Sequence, residues 1–359
     1  QTIVITLKVD EISTYAYLEI NEITAEWGDT VEFVIHYNRT TTLKGIEGAT
    51  VKYNISGVVH NLDAVEIGDG AYRITIDTTS LTPGTTYLIE ILATKGNYTE
   101  QVLTGLLHLE LISTYGYLDK DAINVVWGED ALFVAHYNRS RTKLGIECAT
   151  VTYVIANSTW SSDSIAIITE IGDGVYEILI NSHQLKPDTY TLNITISKTN
   201  YTTISLIGQL KVLNVPTIAS LSAESITIEW GDIIDVNATY IITNGTAIND
   251  ALVTYIIKNS TGQVVNTGQL LPVDNGKYRL YLDSVIIGID SFTVNITLTK
   301  TYHETKILTL SIVVNPISTY AYSDYDTITL IWSETIAFNI HYNRSRTGEG
   351  IAGATTVIQ

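Results

Sequence analysis

Apolar and polar residues alternate along most of this chain, which is the pattern of half-buried β-strands. In the segment from Val31 to Tyr37, the residues Val31, Phe33, Ile35 and Tyr37 fall on one face. Turn signals, such as the Gly-Asp-Gly at 68–70, separate such segments. No helical period of useful length occurs. The pattern therefore predicts an all-β chain built of antiparallel two-sheet sandwiches.

A long internal repeat divides this pattern. The segment 26–40, Glu-Trp-Gly-Asp through His-Tyr-Asn-Arg-Thr, returns at 126–140, more loosely at 229–240, and again at 331–345. The tryptophans are roughly a hundred residues apart, the size of one small β-sandwich domain. We expect Trp27, Trp127 and Trp230 in the cores, because Trp27 shares a strand face with apolar neighbours.

The repeat predicts the domain boundaries. Almost no linker separates the copies, so we expect an elongated rod of tandem domains. The predicted parts are the last strand of a preceding repeat at 1–11, full repeats at 12–111, 112–215 and 216–315, and the first strands of an incomplete repeat at 316–359.

Composition excludes several functions. The net charge of −18 repels phosphate backbones, so we expect no nucleic-acid partner. No apolar run approaches the ~20 residues of a membrane-spanning helix, so we expect no membrane span. The single cysteine, Cys148, excludes an intramolecular disulfide, and we expect it to be a small buried side chain.

Twelve Asn-x-Ser/Thr sequons indicate an N-glycosylated extracellular chain, since about four or five would be expected by chance. Thr-rich strands that match by accident are the alternative. Without disulfides, such a chain points to an archaeal or bacterial cell surface. The predicted glycosylation sites are Asn38, Asn54, Asn97, Asn138, Asn157, Asn193, Asn200, Asn237, Asn244, Asn259, Asn295 and Asn343.

Three histidines, His36, His136 and His341, recur before Tyr-Asn-Arg. They lie in different domains, so they cannot form one metal site, and alternation turns them away from the core. The pairs Tyr15/Tyr17, Tyr115/Tyr117 and Tyr320/Tyr322 share strand faces. We expect them to cover a core edge or a domain contact, and stacking on sugar rings is the alternative.

In each of the four copies a carboxylate follows the repeated Trp-Gly or, in the last copy, Trp-Ser, and other carboxylates lie in or near the Gly-Asp-Gly turns. Ca²⁺ needs six to eight oxygen ligands, and no dense Asp-x-Asp run supplies them. We therefore predict turn chemistry and no cofactor or metal site, with Ca²⁺ as the alternative. The residues concerned are Asp29, Glu129, Asp232, Glu334, Asp69, Asp173, Glu66 and Glu170.

The order Trp-Gly-Asp, Gly-Ala-Thr-Val at 48–51, Gly-Asp-Gly-x-Tyr and Leu-x-Pro-Gly-x-x-Tyr resembles the Ig-like and macroglobulin-like repeats of prokaryotic, especially archaeal, surface proteins. The resemblance implies a surface-layer or filament subunit that assembles with copies of itself, or alternatively an adhesin or carbohydrate-binding stalk. No catalytic arrangement recurs, so we predict no enzyme.

The two ends of the sequence raise a further alternative. Thr2–Val9 alternates like the strand that closes each repeat, so either the chain is a slice of a longer protein or this segment pairs with another copy. The candidates for that inter-subunit strand are Thr2, Val4, Thr6 and Lys8.

Overall fold

A computed structural model of the protein describes residues 2–357. Among them the regular elements are β-strands and three single 3₁₀ turns, at Thr78–Ser80, Ser182–Gln184 and Ser284–Ile286. The chain forms two compact units. The first comprises the chain through Val125 with Asp130–Gln184 and Asp188–Lys211, and the second comprises Val126–Glu129, Leu185–Pro187 and the chain from Val212. The predicted all-β fold class is confirmed.

Nine strands build the first sandwich, and the Asp-Gly and Pro-Gly turns lie between them as predicted. The strands are β1 Thr14–Leu18, β2 Glu22–Glu26, β3 Thr30–Arg39, β4 Thr50–Ile55, β5 Val59–Asp63, β6 Val65–Gly68, β7 Ala71–Asp77, β8 Thr85–Thr94 and β9 Gln101–Glu110.

The strand order of the first sandwich is immunoglobulin-like. One sheet has the order β1-β3-β7-β6 and the other β2-β9-β8-β4-β5. These orders match the A-B-E-D and G-F-C sheets of Ig domains, extended by β5 and by β2, which pairs parallel to β9. A tyrosine at the start of β8, Tyr87, accepts a hydrogen bond at 2.8 Å from the backbone N–H of Thr82, five residues upstream. This is the tyrosine corner found in Ig-like sandwiches.

Two further sandwiches repeat both orders, β10-β12-β16-β15 with β11-β18-β17-β13-β14, and β19-β21-β25-β24 with β20-β27-β26-β22-β23. The strands of the second are β10 Thr114–Leu118, β11 Ala122–Val126, β12 Asp130–Arg139, β13 Thr150–Ala156, β14 Ser161–Ser162, β15 Ala166–Gly172, β16 Val175–Asn181, β17 Asp188–Ser197 and β18 Ile204–Leu213. Those of the third are β19 Thr217–Leu221, β20 Ser225–Glu229, β21 Ile233–Ile242, β22 Leu252–Lys258, β23 Val264–Gln269, β24 Leu271–Pro272, β25 Lys277–Asp283, β26 Ser291–Thr299 and β27 Lys306–Asn315.

The predicted inward faces form the cores. Val31, Phe33, Ile35 and Tyr37 of β3 are all buried. Buried tyrosines also have their hydroxyl groups satisfied. The Tyr72 hydroxyl donates to the carbonyl of Ile46 at 2.7 Å and accepts from the N–H of Ala49 at 2.9 Å. Tyr176 and Tyr278 make the same pair of bonds in the other sandwiches.

At one position in each sandwich, the side chain on the last strand is complementary in size to the side chain that it faces across the core. A Cβ added to Gly105 of β9 would lie 3.0 Å from the Phe33 ring, and one added to Gly208 of β18 would lie 2.8 Å from the Phe133 ring. The third sandwich has Leu310 at the glycine position and Val236 at the phenylalanine position, and both are buried. A large residue on one strand therefore goes with a small one on the other.

The prediction that the tryptophans fill the cores is wrong. Trp27 packs against the core only in part, and its indole N–H donates to the carbonyl of Leu81 at 3.1 Å. Trp230 is 38% exposed and Trp332 is 93% exposed. Trp27, Trp127 and Trp230 each follow the second strand of their repeat. They therefore lie in turns at the ends of the sandwiches rather than between the sheets.

After the third sandwich, β28 Thr319–Ser323 and β29 Ile340–Arg344 form an antiparallel pair. Phe338 and Tyr342, which correspond to buried residues of β3, are exposed here. Residues 2–9 form no strand, and Ile3, Ile5 and Leu7 are exposed by more than four fifths. The domain boundaries and the inter-subunit strand stay predictions.

Candidate functional site

The turn after the second strand of each repeat is closed by the predicted carboxylate. Asp29 Oδ2 accepts the N–H of Glu26 at 3.2 Å, and Asp232 Oδ2 accepts that of Glu229 at 3.0 Å. The carboxylates of Glu129 and Glu334 accept the N–H three residues earlier in the same way. The prediction of turn chemistry is confirmed for these residues.

Two of these turns also hold an arginine from the following repeat. Arg141 lies in the loop after β12, and its Nη1 and Nη2 donate to Asp29 Oδ1 and Oδ2, both at 2.9 Å. Its Nη2 is also 3.6 Å from Glu26 Oε2. Glu26 Oε1 accepts the N–H of Ser113 at 3.3 Å. We name this arrangement the clamp: a bidentate Arg–Asp pair with a glutamate that accepts a backbone N–H of the next repeat.

A second clamp repeats this geometry. Arg346 Nη1 donates to Asp232 Oδ2 at 2.9 Å, and its Nη2 donates to Oδ1 at 2.5 Å. Glu229 Oε1 accepts the N–H of Ser318 at 3.4 Å. Bidentate arginine–carboxylate pairs fix geometry as well as charge, so each clamp constrains the orientation of the two groups that it joins.

The arginines of the clamps were missed in the sequence. Their signal is the second arginine of the string Asn-Arg-Ser-Arg-Thr at 138–142 and 343–347. Thr41 and Asn244 stand at this position in the first and third repeats. The clamp thus joins a repeat with Asp after Trp-Gly to a repeat with Arg in this loop.

The clamp gives a pH prediction. The hydrogen bonds from Arg141 hold the pKa of the Asp29 carboxyl below its ordinary value of about 3.9. A lowered folded pKa stabilises the folded clamp above about pH 4, and this stabilisation is lost as pH falls through the folded pKa. In an NMR titration of the Asp29 carboxyl carbon, we expect Arg141→Ala to raise the titration midpoint. An unchanged midpoint would show that the arginine does not bind this carboxylate in solution.

Each recurring histidine stacks on a tyrosine and contacts a carboxylate of its own repeat. The rings of His36 and Tyr17 are 4.8 Å apart and nearly parallel, and His36 Nε2 lies 2.7 Å from Glu19 Oε1. The same cluster forms at His136 with Tyr117 and Asp119, and at His341 with Tyr322 and Asp324. Alternation predicted that the histidines point outward, as found, but the carboxylates were missed. Their signal is an acid two residues after the second tyrosine.

Two other predicted acidic residues, Glu66 and Glu170, also have structural partners. Glu66 accepts the N–H of Gly48, and Glu170 accepts that of Cys148. Within residues 2–357, no group of three or more His, Cys, Asp or Glu side chains is placed to hold a metal ion. Cys148 is exposed, contrary to the prediction, because it occupies a turn with φ +53° where the first repeat has glycine.

The sequons differ in exposure. Asn97, Asn193 and Asn244 are exposed, whereas Asn38 and Asn138 lie on β3 and β12 and are 6% and 9% exposed. A glycan on a buried amide would displace the side chains that cover it. In glycopeptide mapping of material from a glycosylating host, we expect glycans on the exposed sequons and none on Asn38 or Asn138. Bare peptides at all twelve sites would refute N-glycosylation.

No helix within the described residues has the length and apolarity to cross a membrane. The sequence matches no protein-family model and no curated protein. Among solved structures, it is similar to the I-band fragment I67–I69 from titin, at 10% identity and a TM-score of 0.34, covering 84% of this chain and 98% of that one. It is also similar to a Ca²⁺-stabilised ice-binding adhesin of an Antarctic bacterium, at 16% identity and a TM-score of 0.28, covering 88% and 77%. A third similar structure, immunoglobulin domains 1–5 of Sidekick-1, has 11% identity and a TM-score of 0.28, with 84% and 59% covered.

Proposed function

We propose that the chain is a non-enzymatic, N-glycosylated extracellular protein with a structural role, part of a prokaryotic surface layer or filament built from its own copies. The observation that carries the proposal is the clamp, which recurs with the same geometry at Asp29–Arg141 and Asp232–Arg346. An exposed ion pair adds only about 0–1 kcal/mol to stability. Stability alone therefore gives little reason for the clamp to recur. The recurrence supports a role in fixing the orientation of neighbouring domains, which is what a structural array requires.

An adhesin or carbohydrate-binding stalk is the second candidate function. The exposed tyrosines favour it, since Tyr17 of the first sandwich is 46% exposed on an outward sheet face. Such a stalk also needs domains held in fixed orientation, but it does not need to polymerise.

Electron microscopy of the purified, glycosylated chain separates the two candidates. Ordered filaments or lattices support the surface-layer or filament role. Dispersed single molecules that bind an immobilised glycan array support the stalk role. Dispersed molecules with no glycan binding would contradict both.

A further inference from the structure

A groove of about 640 Å³ lies beside Tyr15 on the outward face of the first sandwich, within the size range of small-molecule binding sites. Tyr15, Tyr17 and His36 line one part of it, and Lys44, Glu47 and Asp69 line another. The lining thus combines two acidic residues and one lysine with aromatic side chains. The electrostatic balance of the groove favours a cation.

The second sandwich shows what this position accepts. There, Lys143 places its Nζ atom 4.7 Å from the centre of the Tyr115 ring, a cation–π contact within one repeat. Lys143 has a left-handed backbone with φ +63°. The tyrosine face is therefore filled by an ammonium group on an apolar stem, which the chain itself supplies.

The first sandwich has the same loop but a different side chain. Leu43 stands at the position of Lys143 and has φ +58°, so the backbone takes the same path. Its side chain is 69% exposed. Within residues 2–357, no lysine or arginine lies over the Tyr15 ring, and the groove is open.

We propose that the groove beside Tyr15 binds a primary ammonium group on an apolar stem, in the form of a lysine side chain of another protein. The ammonium group takes the place that Lys143 occupies in the second sandwich, over the tyrosine face and near the carboxylates of Glu47 and Asp69. The stem packs along Leu43. This activity goes beyond a structural role, because it makes the first repeat a ligand-binding domain.

The test is an NMR titration of the full chain, with ¹³C-labelled tyrosine rings, using n-butylammonium as the probe and n-butanol as the neutral control. We expect saturable shifts at Tyr15 with butylammonium and at least about tenfold weaker binding of butanol. Nα-acetyl-lysine amide should reproduce the shifts of butylammonium. If glucosamine binds and the lysine derivative does not, an amino sugar is the ligand and the lysine proposal is wrong.

Two matched variants make the test specific. Leu43→Lys fills the groove from within and should abolish the shifts at Tyr15. Lys143→Leu empties the second groove and should create new saturable shifts at Tyr115. Both positions are in an exposed loop, so the spectra of both variants should otherwise match that of the parent chain. Unchanged binding by Leu43→Lys, or equal binding of butanol, would overturn the proposal.

Discussion

Gly208→Leu is expected to destabilise the second sandwich by about 3 kcal/mol, toward the upper end of the cost of overpacking a core. A Cβ at this position already lies 2.8 Å from the Phe133 ring and 3.4 Å from Leu118. The ring is fully buried, so it has no open space into which to move. Chemical denaturation, followed by a probe in this sandwich, measures the loss.

The third sandwich shows how the loss can be recovered. Leu310 and Val236 take the places of Gly208 and Phe133 there. The single variant Phe133→Val leaves a cavity and should cost about 2–3 kcal/mol. In the double variant, the leucine fills that cavity, so we expect a favourable coupling of about 2 kcal/mol or more. If the two losses simply add, the proposed size match between these strands is wrong.

Tyr278→Phe is expected to destabilise the third sandwich by about 2–4 kcal/mol. The hydroxyl group donates to the carbonyl of Ile248 at 2.6 Å and accepts from the N–H of Ala251 at 2.8 Å. Tyr278 is buried, so removing its hydroxyl group leaves both backbone groups without a hydrogen-bond partner. Each unsatisfied group costs about 1–3 kcal/mol of stability. The free energy of unfolding in denaturant is the measurement.

Tyr281, on the same strand, provides the control. It is exposed, and Arg279 lies over its ring at 4.7 Å, a contact that phenylalanine keeps. Tyr281→Phe should change stability by less than about 0.5 kcal/mol. Equal effects of the two substitutions would show that the buried hydroxyl is not what stabilises this fold.

Local pattern predicted much of the fold. Alternation identified the buried face of β3, and the turn residues identified the hairpins, because both depend on neighbours in sequence. The histidine was placed outward for the same reason. The tryptophan was misplaced because strand alternation was extended into a turn. In that turn Gly28 has φ +91°, so alternation no longer sets the direction of the side chain.

The clamp was not predictable from local pattern. Asp29 and Arg141 are 112 residues apart in sequence and belong to different repeats. Asp29 read alone is a turn residue, and Arg141 read alone is a loop cation. Only the position of one sandwich against the next brings them together. A comparison of the copies does contain a signal, since Arg141 and Arg346 occur where Thr41 and Asn244 stand in the other two repeats.

A comparison of the repeats also distinguishes features that the fold requires from features that it does not. The third sandwich has Thr239 in place of the histidine and no tyrosine pair, yet it has the same two sheet orders. The Tyr–His–carboxylate cluster is therefore dispensable for the fold. The cluster nevertheless recurs at His36, His136 and His341, always on the outward face of the sheet, so its role is to be sought in the surface and not in the core.

The most direct test of the central claim is the distribution of distances between the first and second sandwiches. Spin labels at Val102 and Ile167, both exposed, report this distance by pulsed electron resonance. The native Cys148 is first replaced by glycine, the residue found at the same place in the first repeat. The control is Arg73→Ala, since Arg73 pairs with Glu32 inside the first sandwich. We expect one narrow distribution at pH 7, about twofold broadening in Arg141→Ala and in Asp29→Asn, no further broadening in the double variant, and no change in the control. A distribution that stays equally narrow without Arg141 would contradict the claim that the clamp fixes the orientation of neighbouring domains.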